Sequence, residues 1–231
     1  MPKLGLSVGL NRSGGLTLPG IVTDNLVMKH IYHPGTVQPL SDGAAYFDDS
    51  SSYIDLGSIS TAALTAITVS AWVYRTDGDE NVILAFGDTD WKFAAGTTLK
   101  FRADISGADT AATAISTGLN QWVHLATTVT GTTAKVYENG ALIDTDTGGG
   151  GFDSGSGSVA SYIGRQSSEY FSGYMCNVAI WSRVLTQAEI KSIMWKQYAD
   201  LTTSESTSLI SWWNLDTNAN DSTGTNDGTL E

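Results

Sequence analysis

The sequence predicts an all-β sandwich with one short peripheral helix and an N-terminal arm. Short runs of alternating residues recur at close spacing, separated by clusters of Gly, Ser, Thr and Asp. This is the pattern of half-buried strands joined by turns. All four prolines fall at positions 2, 19, 34 and 39, so no ladder donor is lost to proline beyond Pro39. Asn139-Gly140 lies between Val136-Tyr137 and Leu142-Ile143. That dipeptide accepts positive φ at both central positions of a type I′ turn and marks a two-residue hairpin.

Residues 1–40 read as an arm plus a first strand. Met1–Gly20 is rich in Gly, Leu and Ser without a period, residues 25–32 suit one strand, and His33-Pro34-Gly35 is a turn. The arm has two open readings, packing along a neighbouring subunit or fraying as a terminus. Residues 41–231 are the sandwich. Strands are expected at 45–47, 53–56, 67–74, 81–86, 91–94, 99–103, 110–115 and 121–129, followed by a hairpin over 134–144. Residues 148–157 form a glycine-serine loop, long enough to be mobile. Strands resume at 158–163 and 170–181. Thr186-Gln187-Ala188-Glu189 has the spacing of a capping box, with Leu185 and Ile190 placed for a hydrophobic staple. The helix it opens is expected over about 186–199, with Ile190, Ile193 and Met194 resting on the sandwich edge. A final strand is expected over 208–216.

The chain of 231 residues is 41% hydrophobic and carries a net charge of −12. That composition suits one large globular β domain. The charge argues against nucleic acid and against an anionic membrane surface as partners. Cys176 is the only cysteine, so no intrachain disulfide forms, and its apolar neighbours suggest a buried thiol. Met1–Leu10 lacks the apolar core of a secretory signal, and no segment reaches membrane-spanning length. Synthesis and folding in a cytoplasm are expected.

Ala45-Tyr46-Phe47-Asp48, Tyr53-Ile54-Asp55-Leu56-Gly57, Thr68-Val69-Ser70-Ala71-Trp72-Val73, Gln121-Trp122-Val123-His124-Leu125-Ala126 and Tyr137-Glu138-Asn139-Gly140 occur in that order. Ile163-Gly164-Arg165, Phe171-Ser172-Gly173 and Val178-Ala179-Ile180-Trp181-Ser182-Arg183 follow, leading into the capped helix. Together these blocks resemble the laminin G-like, concanavalin A-like lectin/glucanase sandwich family over roughly residues 43–198. The resemblance implies a jelly-roll sandwich used mostly for binding or packing. In tandem-repeat relatives a segment like Trp212-Trp213-Asn214-Leu215-Asp216 opens the domain, whereas here it comes last. It either completes the same sandwich beside the strand at 25–32 or is donated to a neighbour; the first is favoured because termini of compact domains often lie close together. Residues 20–27 and 37–45 resemble virion proteins of marine bacteriophages, which implies a structural protein of a particle.

Glycosidases of this fold pair carboxylates on one strand, but the glutamates at 80, 138, 169, 189, 205 and 231 show no such spacing. His30, His33 and His124 lack a nucleophile context, and His124 reads as a packed sheet residue. Relatives often hold calcium at the sandwich rim. Asp216, Asn218, Asn220 and Asp227 supply oxygens for such a site, and Asp48-Asp49 and Asp77–Glu80 are further candidates; Asx turns are the plain alternative. Trp91 and Tyr170, flanked by charged residues near strand ends, are the candidate glycan platforms, while Trp72, Trp122 and Trp181 are expected in the core. The leading expectation is a non-enzymatic phage virion protein, a head decoration or surface component without a required cofactor. It would act through contacts with capsid or tail proteins, with homo-oligomers possible. The alternative is a carbohydrate-binding adhesin module of a tail or fibre that meets a host-surface glycan. A glycoside hydrolase is the distant third.

Overall fold

The computed structural model describes residues 38–61, 64–87, 91–96, 98–102, 109–147 and 158–231, all within one unit, residues 36–231. The arm up to residue 37, the strand expected at 25–32 and the loop at 148–157 lie outside the described residues. The strands are β1 (Ala45–Asp48), β2 (Ile54–Ser60), β3 (Ala66–Arg75), β4 (Asn81–Phe86), β5 (Trp91–Ala95), β6 (Thr98–Arg102), β7 (Asp109–Ala114) and β8 (Trp122–Thr130). They continue with β9 (Thr133–Glu138), β10 (Ala141–Asp146), β11 (Ser158–Ile163), β12 (Arg165–Gln166), β13 (Glu169–Tyr170), β14 (Ser172–Trp181), β15 (Leu209–Trp213) and β16 (Thr229–Leu230).

Two seven-stranded antiparallel sheets stack face to face. The first runs β1-β14-β3-β8-β9-β10, and the second β16-β2-β11-β4-β5-β6-β7. β15 pairs β14 beyond the stretch that β1 occupies, so β1 meets Ser172–Met175 and β15 meets Val178–Trp181. The hairpin at Asn139-Gly140 has φ 49° and 73°, the positive pair that its turn requires. The ribbon β12–β13 stands apart as a two-stranded sheet.

Strand alternation sorts side chains into two apolar layers. Val69, Ala71, Val73, Phe86, Trp91, Phe93, Val123, Leu125, Met175 and Ile180 fill the layer between the sheets. Their alternates on the first sheet point outward. There Ala126, Tyr137, Ala179, Trp181 and Trp212 form a second layer, covered by Leu185, Ile190 and Ile193. The helix α1 (Gln187–Ile193) therefore covers the outer face of the first sheet and reaches its edge strand β10, with Gln187 Nε2 donating to Gly140 O at 3.0 Å.

Its capping box is complete. Thr186 Oγ1 accepts from Glu189 N at 3.2 Å, and the Glu189 carboxylate accepts from Thr186 N at 2.8 Å, an arrangement worth about 1 kcal/mol. Arg183 also grips that carboxylate, and with the cap bonds it outweighs partial burial and holds Glu189 down to about 2. The helix stops at Met194, short of the expected residue 199. Tight bonds from Trp195 N to Ser192 O and from Lys196 N to Ile193 O close its end, and Gln197 is extended. Lys196 then pairs with Glu205 at 2.6 Å. Glu205 belongs to a second capping box, with Thr202, which opens the short helix α2 (Thr203–Ser206).

Candidate functional site

Four aromatic side chains stand in register across four neighbouring strands. Tyr46 of β1 lies opposite Tyr174 of β14, Tyr174 opposite Tyr74 of β3, and Tyr74 opposite Trp122 of β8. Each sits next to a residue of the inter-sheet core (Phe47, Met175, Val73 and Val123), so the period of two turns all four to the outer face. Ring centroids are 5.1 Å apart from Tyr46 to Tyr174, 5.8 Å from Tyr174 to Tyr74 and 5.7 Å from Tyr74 to Trp122. The corresponding interplanar angles are 52°, 80° and 65°.

The cover formed by α1 ends before this row. Beneath that cover Trp72, Cys176 and Met194 are buried, and Trp72 Nε1 donates to Met194 O at 2.9 Å. Trp195 packs at 6.0 Å on Trp72 and stays half in solvent. Beyond it, among the described residues, the row is open: Tyr46 is 60% and Tyr174 40% exposed, while Tyr74 and Trp122 are half-buried. Two exposed aromatics beside two half-buried ones make this row the candidate site of the described surface.

Polar groups border the row. Two residues further along the same face, the hydroxyls of Thr76 and Ser172 lie 2.8 Å apart. At the β1 end, the Asp48 carboxylate accepts from the backbone N–H of Ser50, Ser51 and Ser52 at 3.1, 2.9 and 2.8 Å. Those bonds, led by Ser51, hold it well below the usual carboxylate range. The rim of the row therefore carries a fixed negative charge.

The expected glycan platforms are placed differently. Trp91 is 2% exposed and stacks on Phe86 at 3.8 Å within the inter-sheet core. This corrects the expectation from its charged neighbours, because the strand period puts Lys92 on the opposite face. There Lys92 is buried and bridges Glu80 and Glu169. Tyr170 is half-buried in the β12–β13 ribbon, opposite Arg165. Trp122, expected in the core, is at the surface row instead. Trp72 and Trp181 are buried, in the outer layer beneath the α1 cover.

The residues weighed for calcium are spread along the 216–227 loop. Asp227 Oδ1 accepts from Asp221 N at 2.8 Å, and Asn218 Oδ1 accepts from Asn220 N at 2.9 Å. Asn220 is exposed. Asp216 and Asn218 line a shallow cleft of about 150 Å³ with Ala44, Ala45 and Leu230. Among the described residues, no group of three or more His, Cys, Asp or Glu side chains is placed to hold a metal ion. The loop is organised by a residue outside that set, Asp221. It is buried and accepts from the N–H groups of Trp212 (2.9 Å), Thr223 (3.0 Å) and Asn226 (3.0 Å). Burial raises its pKa, but these bonds and the Thr223 hydroxyl leave it below the usual value.

The glutamates hold structural posts. Glu138 is buried against the N–H groups of Ser116 and Thr117, and Glu189 and Glu205 complete capping boxes. Glu80 and Glu169 clasp Lys92. Near the row, His124 is buried edge-on to Trp72 at 5.4 Å, with its Nδ1 unpartnered among the described residues.

Two antiparallel seven-stranded sheets joined face to face define a jelly-roll sandwich. The chain belongs to the Concanavalin A-like lectin/glucanases superfamily, whose family model matches residues 48–191. Among solved structures it is similar to one described as a putative carbohydrate binding protein from Bacteroides ovatus ATCC 8483. That match has 23% identity and a TM-score of 0.63, and covers 84% of this chain and 59% of that one. It is also similar to the CBM40 of the Ruminococcus gnavus IT-sialidase, with 16% identity and a TM-score of 0.52 over 67% of this chain and 97% of that one. A third is domain 4 of AbnA, a GH43 extracellular arabinanase from Geobacillus stearothermophilus, in complex with arabinotriose. There the identity is 20% and the TM-score 0.50, over 65% of this chain and 76% of that one. No match was found among curated protein sequences.

Proposed function

We propose that the protein is a non-enzymatic carbohydrate-binding module whose ligand lies on the Tyr46–Tyr174–Tyr74–Trp122 row. The observation that carries this reading is the register of four aromatics across four strands with the open end half in solvent. Sugars offer an apolar face to aromatic rings and hydroxyls to the polar groups beside them, and here the Thr76–Ser172 pair and the tyrosine hydroxyls border the rings. Three of the similar structures are described as carbohydrate-binding or sugar-bound domains. The structural posts of Glu80, Glu138, Glu169, Glu189 and Glu205 favour binding without hydrolysis.

A panel of immobilised glycans tests the proposal. The wild-type chain is expected to bind, and Tyr46→Ala and Tyr174→Ala are each expected to weaken binding about tenfold, or about 1.4 kcal/mol. Both side chains are exposed, so melting temperature should hold. Binding untouched by either substitution would place the ligand elsewhere.

A second reading is a bacteriophage virion protein, either a head decoration component or a tail or fibre adhesin. It is favoured by the resemblance of residues 20–27 and 37–45 to phage virion proteins. In that setting the aromatic face would serve as the particle's outward or neighbour-facing contact, with capsid or tail proteins and further copies of the chain as partners. Co-sedimentation with purified particles is expected at stoichiometric copy number. Absence from the particles would end this reading and leave the glycan proposal standing.

A further inference from the structure

We infer that the row takes a soluble, neutral polysaccharide chain laid across the strands, reading several consecutive sugars and not a terminal one. This rests on the carbohydrate-binding reading above and goes on to name the ligand class.

Three features of the row point the same way. The first is repetition. The rings come from equivalent register positions, so the row crosses the strands, and its steps of 5.1, 5.8 and 5.7 Å follow the interstrand spacing of about 4.8 Å. Each step is about the length of one pyranose unit in an extended chain. Even spacing along an open face suits a ligand that repeats, whereas a terminal sugar asks for a concave pocket.

The second is tilt. Neighbouring ring planes differ by 52°, 80° and 65°, so no neighbouring pair is coplanar. A crystalline polysaccharide surface presents its sugar faces in one plane and would meet ring edges here. A single chain in solution turns its successive sugar faces and can meet tilted rings one after another.

The third is charge. The whole chain carries −12, and the Asp48 carboxylate stands at the β1 end of the row. The nearest cation along β3, Arg75, is buried, with its guanidinium committed to the carbonyls of Gly96 and Thr117. Lys196, beyond Trp195, is paired with Glu205. Lys191 of α1 is exposed toward the Trp122 end, but the net negative charge of the chain and Asp48 disfavour polyanionic glycans on this face.

The test is affinity electrophoresis of the full chain through gels containing mixed-linkage β-glucan, xyloglucan, arabinan or polygalacturonate, with a pull-down on crystalline cellulose. Calorimetry then compares the disaccharide and tetrasaccharide of whichever chain retards the protein. The expected result is retardation by at least one neutral chain and none by polygalacturonate, with no cellulose pull-down. The tetrasaccharide should bind at least tenfold tighter than the disaccharide, and Trp122→Ala should erase most of that difference. Retardation by polygalacturonate alone, pull-down on crystalline cellulose, or equal affinity for the two oligosaccharides overturns the inference. Tyr46-dependent binding to terminal sugars on the glycan panel, without polysaccharide retardation, overturns it while sparing the carbohydrate-binding proposal. Silence on every glycan sinks both.

Discussion

Gly173→Ala is expected to destabilise the sandwich by about 4 kcal/mol or more, in the range that single substitutions reach only by a named structural fault. Gly173 sits in β14 between Ser172 and Tyr174 with φ of 130°, a conformation that side-chain-bearing residues rarely adopt. A Cβ there would stand 1.9 Å from Tyr74 O and 3.0 Å from Tyr74 C. Both are backbone atoms of the adjacent strand, so no rotamer change relieves the clash. β14 is flanked by β1 and β3 at this level, where Gly173 faces Phe47 on one side and Arg75 on the other. Moving it would strip ladder bonds from two neighbours and break the alignment of Tyr46, Tyr174 and Tyr74. Urea unfolding and thermal melts measure the effect, with a fall in melting temperature of about 10 °C or more expected for a domain of this size. A variant as stable as the wild type would show that β14 has room to shift.

The second large effect is a loss of stability with acid that begins well above the carboxylate range. Burial pushes the His124 imidazole down to about 3 from 6.5, and its Nδ1 has no partner among the described residues. The folded protein therefore keeps His124 neutral, while the unfolded chain takes up a proton below about pH 6.5. Stability from this group is complete above that value and is lost as pH falls from 6.5 toward 3. The slope is about 1.4 kcal/mol per pH unit. Carboxylates with lowered pKa, such as Asp221 and Glu189, add their own losses only below about pH 5. Between about pH 6.5 and 4.5 the expected loss from His124 is about 2 to 3 kcal/mol. Urea midpoints across that window should fall for the wild type and stay nearly level for His124→Gln. A level wild-type curve would mean that the folded protein takes up the proton as readily as the unfolded chain.

Most of the strand pattern was legible because it depends on local alternation. β4 at Asn81–Phe86 and β11 at Ser158–Ile163 match their sequence-based bounds residue for residue. The capping box at Thr186 was equally plain, since it is a spacing of three between two residue types. The same spacing at Thr202–Glu205 is hard to read because no apolar period follows it, and the end of α1 is hard to read because the tight bonds of Trp195 and Lys196 that close it leave no capping residue in the sequence.

The site was much less legible. Charged neighbours made Trp91 look exposed, yet a strand reverses face at every residue, so Lys92 says nothing about where Trp91 points. Trp122 shows the reverse, since its apolar strand suggests a core place while its register turns it outward. The row itself joins residues 46, 74, 122 and 174, and nothing local announces that these four share a register across β1, β3, β8 and β14. The available hint was small: each aromatic adjoins a strongly apolar residue, Phe47, Val73, Val123 or Met175, and so is turned away from the core.

The way β15 and β16 finish the two sheets bears on how the molecule is made. β15 occupies half of the flank of β14 and brings Trp212 against Trp181 at 6.0 Å, while β16 joins β2 in the other sheet. Both follow the other described strands in the order of synthesis. A nascent chain leaving the ribosome must therefore leave the β15 side of β14 unpaired and Trp181 without Trp212 until residues 209–230 have emerged, and the described pairing of both sheets waits for the same short stretch. During that interval the growing chain presents a bare strand edge beside a large aromatic surface. That is the window in which a chaperone, or a second nascent copy, would find it.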